Sequence, residues 1–325
     1  MEMNFRKDTI LKLIVESYID TIKPISSKAI CDCLDCSSAT VRNEMMELEE
    51  MGYLEKEHIS SGRIPSKQGY RYYIDYLMQP HRMKKRDLEK LDAIFNNTSL
   101  EVTDAISQSL KIVSEMTNYT LINLNDGKNV LRQVEIVPLS NTKLITIIVT
   151  ESGHVEHRNM TISQEVSITE IKKIVELINK LLVGTQLNMV HEKLEFEIKP
   201  MIVSGLKQQE MIYEAFYNVF KDAMFKNEVN YIGKNNILKQ PEFNTIDKIR
   251  NIMEKLDDNY IIKNMEELDD DIKVYIGDES DIDEDVSMIR VNYGNGSFAL
   301  VGPKRMDYKK VLPLLEYIKD EIEGK

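Results

Sequence analysis

SSATVRNEMMELEEMG, residues 37–52, opens on two serines, closes on a glycine and carries Val41, Met45 and Leu48 at i, i+4 and i+7. That spacing lays one apolar stripe along a helix. Ser37 or Ser38 offers a side-chain oxygen to the unpaired amide groups of the first turn, and Gly52 suits the helix end. The opposite face presents Ala39, Asn43 and Met46, flanked by Thr40 and Arg42.

Upstream, Ile10, Leu13, Ile14 and Ile19 mark a helix that ends near Thr21, before Pro24. Ser26 or Ser27 can cap a short second helix through Ile30 to Leu34, with a turn at Asp35–Cys36. Downstream, Tyr53 to Lys56 reads as a strand and His58 to Arg63 as a hairpin tip. Ile64 starts the return, and Pro65 opens a further helix from about Ser66 to Met78. This is the order of a winged helix-turn-helix. The major groove of B-DNA admits one α-helix, whose N-terminal residues reach base edges. Here those residues are Ser38, Ala39, Thr40, Arg42 and Asn43. Arginine matches guanine bidentately and asparagine matches adenine, whereas Ser37 and Thr40 suit phosphate. Arg63, beside Gly62, is placed to reach phosphate or the minor groove. Spacing alone leaves a second reading open, since three-helix units with a wing also serve as protein-interaction modules.

The net charge of −12 is unevenly spread, with residues 1–86 at +1 and the remainder at −13. Residues 56–86 hold eight basic residues, Lys67 and Arg71 among them, against two acidic ones. A basic patch on an acidic body orients a protein on a polyanion. A chain of 325 residues suits two or three domains. The longest apolar runs, such as Ile145 to Val149, are strand-sized, so no bilayer span is expected. The N-terminus lacks the apolar core of a secretory signal, and the expected compartment is the cytoplasm. Cys31, Cys33 and Cys36 form a poor disulfide framework. Three thiols close together suggest zinc, but a structural site needs four ligands and the nearest histidine is His58; the alternative is small side chains packing in a helix and turn.

Beyond a basic linker at Pro80 to Arg86, Leu88 to Met116 reads as helical. Val130 to Pro138 and Lys143 to Glu151 read as paired strands turning at Ser140–Asn141, followed by a strand from Val155 to Ile162. Residues 166–184, Met211 to Phe225 and Thr245 to Leu256 read as helices. The tail supplies strands at Lys273–Ile276, Ser287–Tyr293 and Ser297–Val301 and a last helix from Tyr308 to Ile322. Strands at both ends with helices between them suggest a sheet domain carrying an insertion.

Catalysis finds no positive support. His154 and His157 sit near a strand, where that spacing points them to opposite faces. Asp281, Asp283 and Asp285 begin like a calcium loop without the glycine that should follow. No phosphate loop or nucleophile elbow occurs. The expectation is a protein that is not an enzyme, with no metal and no cofactor.

Residues 37–52 and the run HISSGRIPSKQGYR, residues 58–71, closely resemble the recognition region of the heat-inducible transcription repressors of the HrcA family. Val274 to Glu279 (VYIGDE) and Gly302 to Tyr308 (GPKRMDY) resemble that family's closing motifs, and Gly233 and Pro241 to Phe243 match more loosely. Ile59 and Ser66 stand where the family usually has threonine, and Ser26 where glycine is common. The resemblance implies an α+β multidomain protein: an N-terminal winged helix-turn-helix, a GAF-like α/β domain and an inserted α+β dimerisation domain. The expected boundaries are 1–86 for the winged helix with its linker, 87–162 and 241–325 for the two parts of the GAF-like domain, and 163–240 for the insertion. It also implies a homodimer on an inverted-repeat operator in double-stranded DNA, repressing class I heat-shock (chaperone) genes. The DNA-facing set becomes Ser37, Ser38, Ala39, Thr40, Arg42, Asn43, Arg63, Lys67 and Arg71. The family's activity is supported by the GroE-type chaperonin and falls when unfolded proteins occupy it. A rival reading keeps the DNA binding but places control in a small-molecule ligand of the GAF-like domain. The acidic stretch Asp257 to Asp285 reads either as solvated loops or as a destabilising charge run that creates dependence on a folding helper.

Overall fold

The computed structural model describes the chain apart from residues 1–2, 32, 35, 57–61, 80–81, 101, 125–129, 152, 154, 164–165, 203–206, 225–228, 257–270, 295 and 325. The wing-tip residues His58 to Ser61, His154, and residues 257–270 of the acidic stretch therefore lie outside the described residues.

Helix α1, Phe5–Thr21, starts where the Asn4 side chain accepts from the Lys7 amide and stops at Ile22, which turns left-handed at φ 56°. It buries Ile10, Leu11, Ile14 and Val15; Leu13 and Ile19 are only partly buried. Helix α2, Ser27–Cys31, and helix α3, Ser38–Glu50, follow. Strands β1, Leu54–Glu55, and β2, Ile64–Pro65, pair antiparallel. Helix α4, Lys67–Tyr72, runs on into one wide π turn, Tyr73–Leu77. Helices α5, Lys85–Phe95, and α6, Val102–Thr117, lead to strand β3, Thr120–Leu124.

The chain then enters a second compact unit, residues 123–230 with 294–297. Strands β4, Leu131–Pro138, β5, Lys143–Thr150, and β6, Val155–Thr161, form an antiparallel sheet in that order. Helices α7, Ile168–Leu182, α8, Leu187–Lys193 (extended by a π turn, Leu194–Ile198), α9, Lys199–Ile202, and α10, Lys207–Met224, complete the unit. Leu144, Thr146, Ile148 and Thr150 alternate onto the covered face of β5, as the period of two dictates. Ile171, Val175, Ile178 and Leu182 of α7 join Leu144 and Ile148 in one apolar cluster with Phe216 and Phe220 of α10. Asn179 of α7 closes the edge of β4, accepting from the Val134 amide and donating to its carbonyl, both at 2.7 Å.

Strand β7, Val229–Ile232, returns the chain to the first unit, where helix α11, Ile246–Lys255, and strands β8, Ile272–Ile276, β9, Val286–Tyr293, and β10, Gly296–Pro303, follow. The five-stranded sheet has the order β7-β3-β10-β9-β8. Val286 to Val291 and Ser297 to Pro303 are buried at every position, as central strands covered on both faces must be. The closing helix α12, Tyr308–Glu323, packs Val311, Leu315 and Ile318 into the same apolar cluster as α1, α3 and α6. No helix among the described residues is long and apolar enough to cross a membrane.

The sequence reading assigns residues 87–162 to the first part of the GAF-like domain and starts the insertion at 163. In the structure β4, β5 and β6 instead pair with one another and share their core with α7 and α10, so the units divide at 122/123 and 230/231. Alternation identified these strands correctly; which sheet a strand joins depends on partners distant in sequence.

Candidate nucleic-acid interface

Helix α3 is oriented by its buried stripe. Val41, Met45 and Leu48 are almost wholly inaccessible, and burying each contributes about 1.5–3 kcal/mol. Ala39, Arg42, Asn43 and Met46 are therefore turned outward and exposed. Neither Arg42 nor Asn43 is engaged by another described residue.

The first turn of α3 is held from within. Ser37 accepts from the Thr40 amide at 3.1 Å, and its hydroxyl lies 2.9 Å from that of Thr40. Ser38 shares a hydrogen bond with Ser27 at 3.1 Å, tying the start of α3 to α2. These bonds leave the remaining amide groups of the turn and its positive dipole end facing outward, an arrangement that favours phosphate. The three cysteines of the preceding turn are free thiols, Cys33 exposed and Cys31 and Cys36 half-buried.

Four glutamates follow on α3, and three are neutralised by cations of the same domain. Glu44 meets Arg6 at 3.4 Å and Glu47 meets Lys7 at 2.7 Å. Glu49 meets Lys56 at 2.8 Å and Arg63 at 2.7 Å. This matters because an unpaired carboxylate row would repel a phosphate backbone. Burial pushes the Glu49 carboxyl up, but Lys56 and Arg63 outweigh it and hold its pKa below the ordinary value.

Arg63 itself is not at a free tip. Its side chain is largely buried, and its backbone pairs with Ile25 through two 2.9 Å hydrogen bonds. A Cβ on Gly62 would lie 2.3 Å from the Ile25 carbonyl oxygen, so only glycine permits that approach. Arg63 thus fastens the wing to α3 rather than extending from it.

Lys67 and Arg71, both half-buried, are likewise paired. Lys67 reaches Asp278 at 2.7 Å and Glu279 at 3.3 Å. Arg71 donates to Glu279 and to the Val274 carbonyl, each at 2.6 Å. Of the nine residues expected to face DNA, Ser37, Ser38, Ala39, Thr40, Arg42 and Asn43 are brought together on one surface. Arg63, Lys67 and Arg71 have their charges paired with carboxylates of the same chain. Sequence reasoning did not identify Glu49, Asp278 or Glu279 as their partners; residues 274–279 stood out only as a run resembling a family motif.

Two family models match the chain: the winged helix-turn-helix transcription repressor, HrcA DNA-binding, over residues 2–73, and the HrcA protein C terminal domain over residues 103–312. A heat-inducible transcription repressor HrcA of Bacillus pumilus is 34% identical, the match covering 98% of this chain and 96% of that one. One from Tetragenococcus halophilus is 36% identical over 98% and 94% respectively. A crystal structure described as a hypothetical protein at 2.2 Å resolution superposes with a TM-score of 0.65 at 25% identity, covering 99% of this chain and 98% of that one.

Proposed function

The chain belongs to the HrcA family of heat-inducible transcription repressors, whose winged helix binds DNA, and from that premise we propose how it represses. It acts as a homodimer that sets α3 of each copy into one half of an inverted-repeat operator and so blocks class I heat-shock (chaperone) genes. The GroE-type chaperonin keeps it active. The observation that carries the reading is the outward placement of Arg42 and Asn43, just past the capped first turn of a helix whose opposite face is buried. Ser38 and Ala39 line the bases or sugars beside them, and Ser37 and Thr40 sit against phosphate.

A two-fold operator calls for a two-fold protein. The helices between residues 187 and 224 expose Met189, Phe196, Met201 and Met211, with Phe196 at 74%. Exposed large apolar side chains concentrated in one stretch of sequence favour association, and they support these helices as the dimer contact. The chaperonin arm rests on family membership alone. A transcription repressor is not an enzyme class, and no reaction is assigned.

Footprinting on the promoter of a chaperone operon, with and without chaperonin, tests the reading. Symmetric protection over two half-sites, strengthened by chaperonin, is expected. Protection of one half-site by a monomer, or footprints unchanged by chaperonin, would overturn the corresponding part.

A further inference from the structure

One face of α4 packs the winged helix against the sheet body. Lys67, Tyr70 and Arg71 lie at i, i+3 and i+4, the spacing that aligns side chains on a helix. Tyr70 is fully buried with its ring centroid 6.3 Å from that of Tyr308 of α12. Tyr308 is anchored in turn, 2.9 Å from the Ser287 hydroxyl and donating to the Lys304 carbonyl at 2.8 Å. On either side of this aromatic contact stand the two cations, and both end on the short turn after β8.

That turn is built to present acids. Gly277 adopts φ +62°, and a Cβ there would approach the Glu284 carbonyl to 3.0 Å. The Glu279 carboxylate accepts from the Ile276 amide at 3.0 Å, which fixes its position. The same carboxylate receives Arg71 on one oxygen and Lys67 on the other. A second tie comes from α12, where Lys309 pairs with Glu16 of α1. Tyr73 donates to the same Glu16 carboxylate at 3.3 Å.

We propose that Glu279 is a positioning residue for operator recognition: through Arg71 and Lys67 it locks the winged helix onto the GAF-like body, so that dimer contacts made outside the winged helix place the second α3 at its half-site. The joint is one of the links through which such a contact reaches α3. A fixed joint raises the effective concentration of the second α3 at the operator; a loose one spends that advantage on orientational freedom. Lys67 and Arg71 serve recognition through the body, not by touching phosphate. The inference rests on the dimer reading given above.

The test compares the full-length chain with Glu279→Gln on two duplexes, one carrying the full inverted repeat and one a single half-site, with sedimentation and thermal melting of the same samples. The expected result is unchanged half-site affinity and a loss of about tenfold or more in full-site affinity. The charge-swapped pair Arg71→Glu with Glu279→Arg should recover part of the full-site affinity that either change alone removes. If Glu279→Gln does not fold, Asp278→Asn removes an exposed partner of Lys67 and should give a smaller loss of the same kind. An unchanged ratio of full-site to half-site affinity overturns the proposal. So does a parallel rise on both duplexes with a steeper salt dependence, which would make the freed Lys67 and Arg71 phosphate contacts. A wild-type chain that sediments as a monomer and binds both duplexes equally overturns the dimer reading, and this inference with it.

Discussion

Arg63 places its Nε and a terminal guanidinium nitrogen each 2.7 Å from the same oxygen of Glu49, while Lys56 holds the other oxygen at 2.8 Å. One carboxylate on the recognition helix therefore gathers a cation from each side of the hairpin. Glu49→Gln should free the wing and cost about 1 kcal/mol of stability, the upper range for a partly exposed pair. Operator affinity should fall several-fold, as measured by gel shift, while the far-ultraviolet spectrum stays native.

Arg42→Ala and Asn43→Ala should each weaken operator binding by about 1–3 kcal/mol. A scrambled duplex run in parallel separates base reading from charge. Equal losses on both duplexes would mean that these side chains meet only the backbone.

Ser37→Ala removes the cap of α3 and should lower stability by about 1 kcal/mol in urea unfolding, with Ser37→Asn recovering most of it. Ser37→Asp should retain the cap yet weaken DNA binding, because it sets a negative charge against phosphate. The divergence between stability and affinity in that variant is the diagnostic result.

Glu49 and Glu279 share a pH dependence. Burial pushes the Glu279 carboxyl up, but the Ile276 amide, Arg71 and Lys67 together bring it below the ordinary value, as the cations do for Glu49. A carboxyl depressed in the folded state stabilises above its unfolded pKa, and that stability is lost as pH falls through the folded value. Wild-type melting temperature should therefore drop on acidification below about pH 4, and less steeply in Glu49→Gln/Glu279→Gln. Parallel curves would show that these two pairs contribute nothing to the acid limb.

Phe196→Asp places a charge at the most exposed of the apolar side chains on the helices between residues 187 and 224. A folded monomer is expected by sedimentation, with full-site operator affinity reduced to that of a half-site.

The exposed face of α3 was legible because helical periodicity and capping are local. Val41, Met45 and Leu48 set the orientation of α3, and Ser37 set its start. On α1 the same reasoning chose Leu13 and Ile19 where packing buries Leu11 and Val15, because a helix rich in apolar residues does not specify which stripe its neighbours will cover. Strands β3 and β7 and helices α8 and α9 were not read at all; they are short, and their type is fixed by partners in the sheet and in the second core. The joint was invisible for a related reason. Arg71 and Glu279 are 208 residues apart, and a basic side chain looks the same in sequence whether it meets DNA or a carboxylate.

Thr120, at the head of β3, donates its hydroxyl to the carbonyl of Gly233 just past the foot of β7, at 3.0 Å. The two neighbouring strands thus run oppositely, and the chain departs after Leu124 and re-enters at Val229 on the same side of the sheet. The intervening block behaves as an outsized hairpin loop. An insertion entered and left at one point of its host can change in length without changing the order of the strands on either side of it.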